Sequence, residues 1–275
     1  MPQAQMGPGP LCYEVDDFTD PWQPAQTILL HHGFGRSRRI WHTWVPLLAR
    51  HLRVLRPDMR GFGQSPAPPT WRPTLNRLVD DVLGLLDALR LERVHFVGEA
   101  LAGVIGIEIG ARHPQRLHSL TLLSTPVRVS EEGRRDFALG TASWAAVYEE
   151  VPAAEWVRRT MAHRFDPARL PPEYVDWAAS QIAHVPPTLL SAYAQLILDI
   201  DYTGGLPALT APTLIIAGGS KLAPADQARF LAERIPESEL VLFPDERHLV
   251  AFARPAECVA AVLDFIQRRC GGASL

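Results

Sequence analysis

Short apolar runs, each ending on a turn residue and followed by a helical pattern, constrain this chain more than any other feature. Residues 27–32 (Thr-Ile-Leu-Leu-His-His) run into Gly33, and 52–57 run into Asp58. Residues 94–97 run directly into Gly98. Between them, 75–91 carries Leu78, Val82, Leu85, Leu86 and Leu89 at three- and four-residue steps, the period of an amphipathic helix. A Gly- and Ala-rich helix is expected over 101–112, ending near Pro114, then a strand over 117–123. The rhythm resumes with strands at 212–218 and 239–243 and helices at 225–234 and 255–269. Strand, helix and strand in succession, joined by right-handed crossovers, imply an α/β fold: a mostly parallel central sheet with helices on both faces.

From 126 to 202 the alternation stops. That stretch holds helical patterns with Trp144, Tyr148, Trp156, Trp177 and Tyr193, and no strand. The expected organisation is a core of residues 1–125 and 203–275, with 126–202 a helical lid over the sheet's carboxyl edge, where open α/β sheets bind ligands. The first ten residues, rich in Pro, Gly and Gln, read as a frayed end.

Composition narrows the function classes. The 275 residues are 47% hydrophobic with a net charge of −3, ample for a sizeable core and without the block of like charge that neutralises nucleic-acid phosphates. No apolar run reaches the roughly 18 residues of a membrane span, and no signal peptide opens the chain. Cys12, Cys258 and Cys270 have neither metal-ligand spacing nor an even disulfide set. A cytoplasmic protein is expected, monomeric or homodimeric, acting on a small molecule without metal or cofactor. Gly61-Phe62-Gly63 lacks the full dinucleotide pattern.

Four loops at strand ends carry chemistry. Val97-Gly98-Glu99-Ala100-Leu101-Ala102-Gly103 is a sharp strand-to-helix turn whose small neighbours let the backbone double back, lifting residue 100 beside a helix N-terminus. His31-His32-Gly33-Phe34-Gly35 can present a backbone N–H. Asp58-Met59-Arg60-Gly61-Phe62-Gly63-Gln64-Ser65 follows a second strand, and Asp245-Glu246-Arg247-His248-Leu249 places a histidine after the last one. In this order, over about residues 25–270, the four motifs resemble the α/β-hydrolase superfamily. The resemblance implies the α/β-hydrolase fold with a nucleophile at the elbow, a later acid and a C-terminal histidine. It places His248 as general base and the backbone N–H groups of Phe34 and Leu101 as the oxyanion hole. A plain surface-loop histidine is the alternative for His248.

The departures matter as much. Ala100 occupies the nucleophile position, and a methyl group attacks no carbonyl. The usual acid position holds Lys221, the only lysine in the chain, and the alternative position holds Ser124. Asp226 is nearby but starts the next helix. Either Ala100 replaces a native serine whose surroundings are kept, or it is natural and hydrolysis has been left behind. The first gives hydrolysis of a small carboxylic ester, lactone or related acyl bond. The second gives lyase, elimination or cyclisation chemistry by His248 proton transfer, or a catalytically silent ligand-binding protein. In that chemistry Lys221 adds a charge or a Schiff-base amine, if it is more than a solvated loop residue. Gly33, Arg36, Trp144 and Tyr148 are the candidate substrate contacts. Against them stand a solvated loop for Arg36, Arg38 and Arg39, and helix-to-helix packing for the aromatic side chains. Glu99 is expected to be structural.

Overall fold

In the computed structural model, which describes residues 2–202, 206–219 and 225–271, the apolar runs pair into one eight-stranded sheet. The strands are β1 (Gln3–Ala4), β2 (Leu11–Asp16), β3 (Thr27–His31), β4 (Arg53–Pro57), β5 (Val94–Glu99), β6 (Leu117–Leu123), β7 (Thr213–Gly218) and β8 (Glu239–Phe243). Their spatial order is β1-β2-β4-β3-β5-β6-β7-β8. Only β1 with β2 and β2 with β4 pair antiparallel; every other neighbour pair is parallel.

The helices are α1 (Val45–Leu48), α2 (Leu75–Ala88), α3 (Leu101–Arg112), α4 (Glu131–Ala138), α5 (Val147–Glu150), α6 (Ala153–Arg164), α7 (Pro172–Ile182), α8 (Pro187–Asp199), α9 (Ala225–Arg234), α10 (Val250–Ala253) and α11 (Pro255–Cys270). They make two cores. Leu29 of β3 packs on one face with Leu78 and Val82 of α2 and Val104 and Ile107 of α3. Its neighbours Ile28 and Leu30 pack on the other face with Leu48 of α1 and Val262 and Phe265 of α11. The two-residue period sends adjacent side chains to opposite faces, so a strand covered on both reads as an unbroken apolar run.

Strand order reverses at β3: β4 lies on one side of it and β5 on the other. The loops after β3 and β5 therefore leave the carboxyl edge in opposite directions and open a crevice between them. Helices α4 to α8 are inserted between β6 and β7, with no strand among the described residues there. No described helix is long and apolar enough to cross a membrane.

The N-terminal reading needs correction. Residues 2–10 are not simply frayed, because β1 pairs with β2, Ala4 is buried, and Met6 packs over Gly84 of α2. The strand β2 went unread because Glu14 and Asp16 interrupt its apolar pattern. Both carboxylates are held by Arg56 on β4, at 2.8 and 2.6 Å.

Candidate active site

Ala100 sits between β5 and α3 with φ 51° and ψ −113°, a conformation that L residues rarely adopt. Such backbone persists only where its surroundings over-determine it. Here Ala100 N–H donates to the Leu123 carbonyl on β6, and the Ala100 carbonyl accepts from Gly103 N–H, both at 2.9 Å. The small neighbours are required by space. A Cβ at Gly98 would lie 2.5 Å from the backbone of Ala102, and one at Gly103 would lie 1.9 Å from Thr125 Oγ1.

The turn after β3 is tied to this elbow through Glu99. Its buried carboxylate accepts from Gly33 N–H at 3.1 Å and pairs with Arg36 at 3.5 Å. A Cβ at Gly33 would come within 2.9 Å of the Glu99 carbonyl, so glycine permits the close approach of the two turns. Leu101 is the first residue of α3, so its N–H has no carbonyl one turn back to bind. Phe34 and Leu101 thus flank the Ala100 side chain on one cavity, and His248 joins them from the turn after β8.

That cavity, about 830 Å³ of empty space counting its mouth, has mostly apolar and aromatic walls. Trp144 and Trp156 stack with ring planes 16° apart. Phe34 meets both rings edge-on. His248 is buried, and its Nδ1 has no hydrogen-bond partner among the described residues. Burial first, then the charges of Arg36 and Arg164, push its pKa down to about 3. The ring is neutral at pH 7, with a free acceptor capacity and no carboxylate behind it among the described residues. Among the described residues no group of three or more His, Cys, Asp or Glu could hold a metal ion.

The profile of the α/β hydrolase fold family matches residues 26–255. The chain belongs to that family. It is 29% identical over 272 residues to the RutD protein of Stutzerimonas stutzeri strain A1501, named for carbamate hydrolysis, covering 94% of this chain and 97% of that one. It is 27% identical to the pimeloyl-[acyl-carrier protein] methyl ester esterase of Aromatoleum aromaticum, covering 87% and 98% of the two chains. The crystal structure of the enol-lactonase from Burkholderia xenovorans LB400 superposes with a TM-score of 0.87 at 26% identity, covering 97% of this chain and all of that one. The chain is thus an α/β-hydrolase-type enzyme, with its departures concentrated at two positions.

As an α/β hydrolase it has no nucleophilic side chain at residue 100, and among the described residues no carboxylate meets His248 Nδ1. Ser124 stands at the end of β6 with φ 45°, its hydroxyl buried and without a partner among the described residues. Asp226 lies in the first turn of α9 with an exposed side chain, 3.5 Å from Arg229. That is a helix-terminus place, away from the cavity walls. Glu246, two residues before His248, is committed to Arg169 and Arg254 at 2.8 and 2.7 Å. Lys221 lies outside the described residues.

Of the predicted substrate contacts, the structure brings Gly33, Arg36 and Trp144 to the cavity wall together. Tyr148 does not reach it. The side chain stands behind Trp144, accepting a hydrogen bond from its indole N–H at 3.1 Å, because Val147 and Tyr148 of α5 turn into the packing of the insertion. The solvated-loop alternative for the three arginines fits only Arg39. Arg38 is buried against Asp58 and Glu14, while Arg36 faces the cavity. Sequence reasoning missed Arg164. It closes a stripe of three residues at four-residue spacing, Trp156, Thr160 and Arg164, on the buried side of α6. A cation ending such a stripe was the available signal. Burial, then the charge of Arg36, lower its pKa to about 10, and it stays cationic at neutral pH.

Proposed function

We propose that the cavity is the acyl-substrate site of a serine-type hydrolase for small esters or lactones, with Ala100 standing where the active form carries serine. One observation carries this reading. The Ala100 elbow keeps its rare backbone conformation and opens on the same cavity as His248, Phe34 and Leu101. An elbow held in that conformation serves to lift a side chain clear of the sheet, and a methyl group has no use for it. The relatives named for ester, carbamate and lactone cleavage support the reaction class.

With serine at position 100, its Oγ attacks the acyl carbon while His248 takes the hydroxyl proton. The Phe34 and Leu101 N–H groups receive the developing oxyanion. The carbon–oxygen bond to the leaving group then breaks, and His248 returns the proton to that alkoxide. Water repeats the sequence on the acyl-enzyme. The insertion of α4 to α8 acts as the lid, its Trp144, Trp156 and Met161 excluding water. With Ala100 in place the first bond has no donor atom, and the chain binds without forming an acyl-enzyme.

The test is Ala100→Ser on short p-nitrophenyl esters and a lactone panel. Turnover is expected only in the serine form. With no described carboxylate on His248 Nδ1, kcat should fall about 10⁴-fold short of a complete triad, still above the uncatalysed rate. An inert serine form overturns the reading. The unpartnered Nδ1 favours one second reading, in which His248 moves a proton on a bound substrate and no covalent intermediate forms.

A further inference from the structure

We propose that the cavity takes a substrate with an apolar body and a single carboxylate, held between Arg36 and Arg164, with Arg164 setting the preference for acid over neutral analogue. This rests on the acyl-substrate reading of the cavity and narrows it to one chemical class.

The buried arginines supply the argument. Four are nearly solvent-inaccessible: Arg38, Arg56, Arg60 and Arg164. Arg38 pairs with Asp58, Arg56 with Asp16 and Glu14, and Arg60 with Asp81. Such pairing is expected, since an unpaired buried charge is costly. Arg164 has no carboxylate partner among the described residues. Its guanidinium lies 4.3 Å over the Trp156 ring and 5.2 Å from Phe137, and one N–H donates to Thr160 Oγ1 at 2.9 Å. Ring faces and one hydroxyl leave most of its donors unused. It is also the residue that the cavity reaches.

The charge balance of the walls says what completes it. Arg36 and Arg164 are cationic, Glu99 is anionic and tied to Arg36, and His248 is neutral. The other described wall residues carry no charge, so among the described residues the cavity holds one positive charge in excess. A monoanion cancels it, and a planar carboxylate matches the forked guanidinium donors. A phosphate dianion would overshoot that single charge. The aromatic and aliphatic remainder, with Phe34, Trp144, Met161 and Ile197, suits an aryl or cyclic body.

The chain as it stands is suited to the test, because Ala100 allows binding without acyl-enzyme turnover. Benzoate, phenylacetate and 3-phenylpropionate are titrated against their primary amides, followed by tryptophan fluorescence and calorimetry. At least one acid should bind more than about tenfold tighter than its amide, the scale of a charge-assisted hydrogen bond. Arg164→Gln should bring that ratio to about 1 while amide binding is kept, and Arg164→Lys should restore part of it. Equal binding of acid and amide overturns the proposal, as does an unchanged ratio in the glutamine variant or displacement of the acid by chloride alone at millimolar level. If Arg164→Gln fails to fold, the acid-to-amide ratio of the unaltered chain decides. The two readings fail separately. An Ala100→Ser form that cleaves neutral esters as readily as carboxylate-bearing ones removes the carboxylate claim and keeps the hydrolase. Selective acid binding beside an inert Ala100→Ser form does the reverse.

Discussion

Ala100 concentrates the residue-scale argument, because its backbone pays a conformational cost that its side chain does not repay. A residue with φ near 50° and ψ near −113° stores roughly 1–3 kcal/mol unless it is glycine. Ala100→Gly should therefore stabilise the fold by about 1 kcal/mol after the loss of chain entropy is counted, read as a rise in the urea midpoint. A drop in the midpoint would mean that the elbow is relaxed. His248 gives a second residue-scale expectation. Two guanidiniums help to hold its pKa near 3, so a bound carboxylate should raise it, seen as a shift of its imidazole titration by NMR on saturation with an aryl acid. No movement would place the ligand away from the arginines.

Among the elements, the turns at the carboxyl edge and residues of the helical insertion together line the cavity. Gly98→Ala sets a Cβ against the backbone of Ala102, which cannot give way as a side chain would. A loss of about 3 kcal/mol or failure to fold is expected, checked by chemical denaturation. The insertion is tied down by Tyr193 of α8, whose buried hydroxyl donates to the Arg60 carbonyl at 2.6 Å. Tyr193→Phe should cost about 1 kcal/mol. This scale also shows what was legible. Helices α3 and α9 and strands β6 and β8 fall where period and turn chemistry put them, since Gly98, Pro114 and Gly218 punctuate the chain locally. Strand β2 was hidden because the partner of its acids, Arg56, lies some 40 residues away. Arg164 was hidden because sequence carries no measure of burial, and a cation on a helix reads first as solvated. Tyr148 departs from expectation because a four-residue spacing groups it with Trp144 without saying which of the two reaches the cavity.

For the whole molecule, the same burial that shapes the cavity sets a response to acid. His31, His95 and His248 have pKa values near 3 and His32 near 4, each chiefly through burial. Unfolding returns each ring to about 6.5, so between roughly pH 6.5 and 4 the unfolded chain binds more protons than the folded one. Stability is then full above about pH 6.5 and falls as pH drops, by about 1.4 kcal/mol per pH unit for each such histidine. Urea midpoints at pH 7.5 and 5.0 should differ clearly, and equal midpoints would mean that these rings are protonated in the folded state. The proposed acyl-transfer site needs the residue 100 elbow, the Phe34 and Leu101 N–H groups and His248 to act in one cavity. Its most direct test is intact-protein mass after treatment with a fluorophosphonate, in three forms: the chain with Ala100, Ala100→Ser, and Ala100→Ser with His248→Ala. A single phosphonyl adduct is predicted in Ala100→Ser alone, slow relative to a complete triad. No adduct in that form, or equal labelling without His248, would contradict an acyl-transfer site built around residue 100.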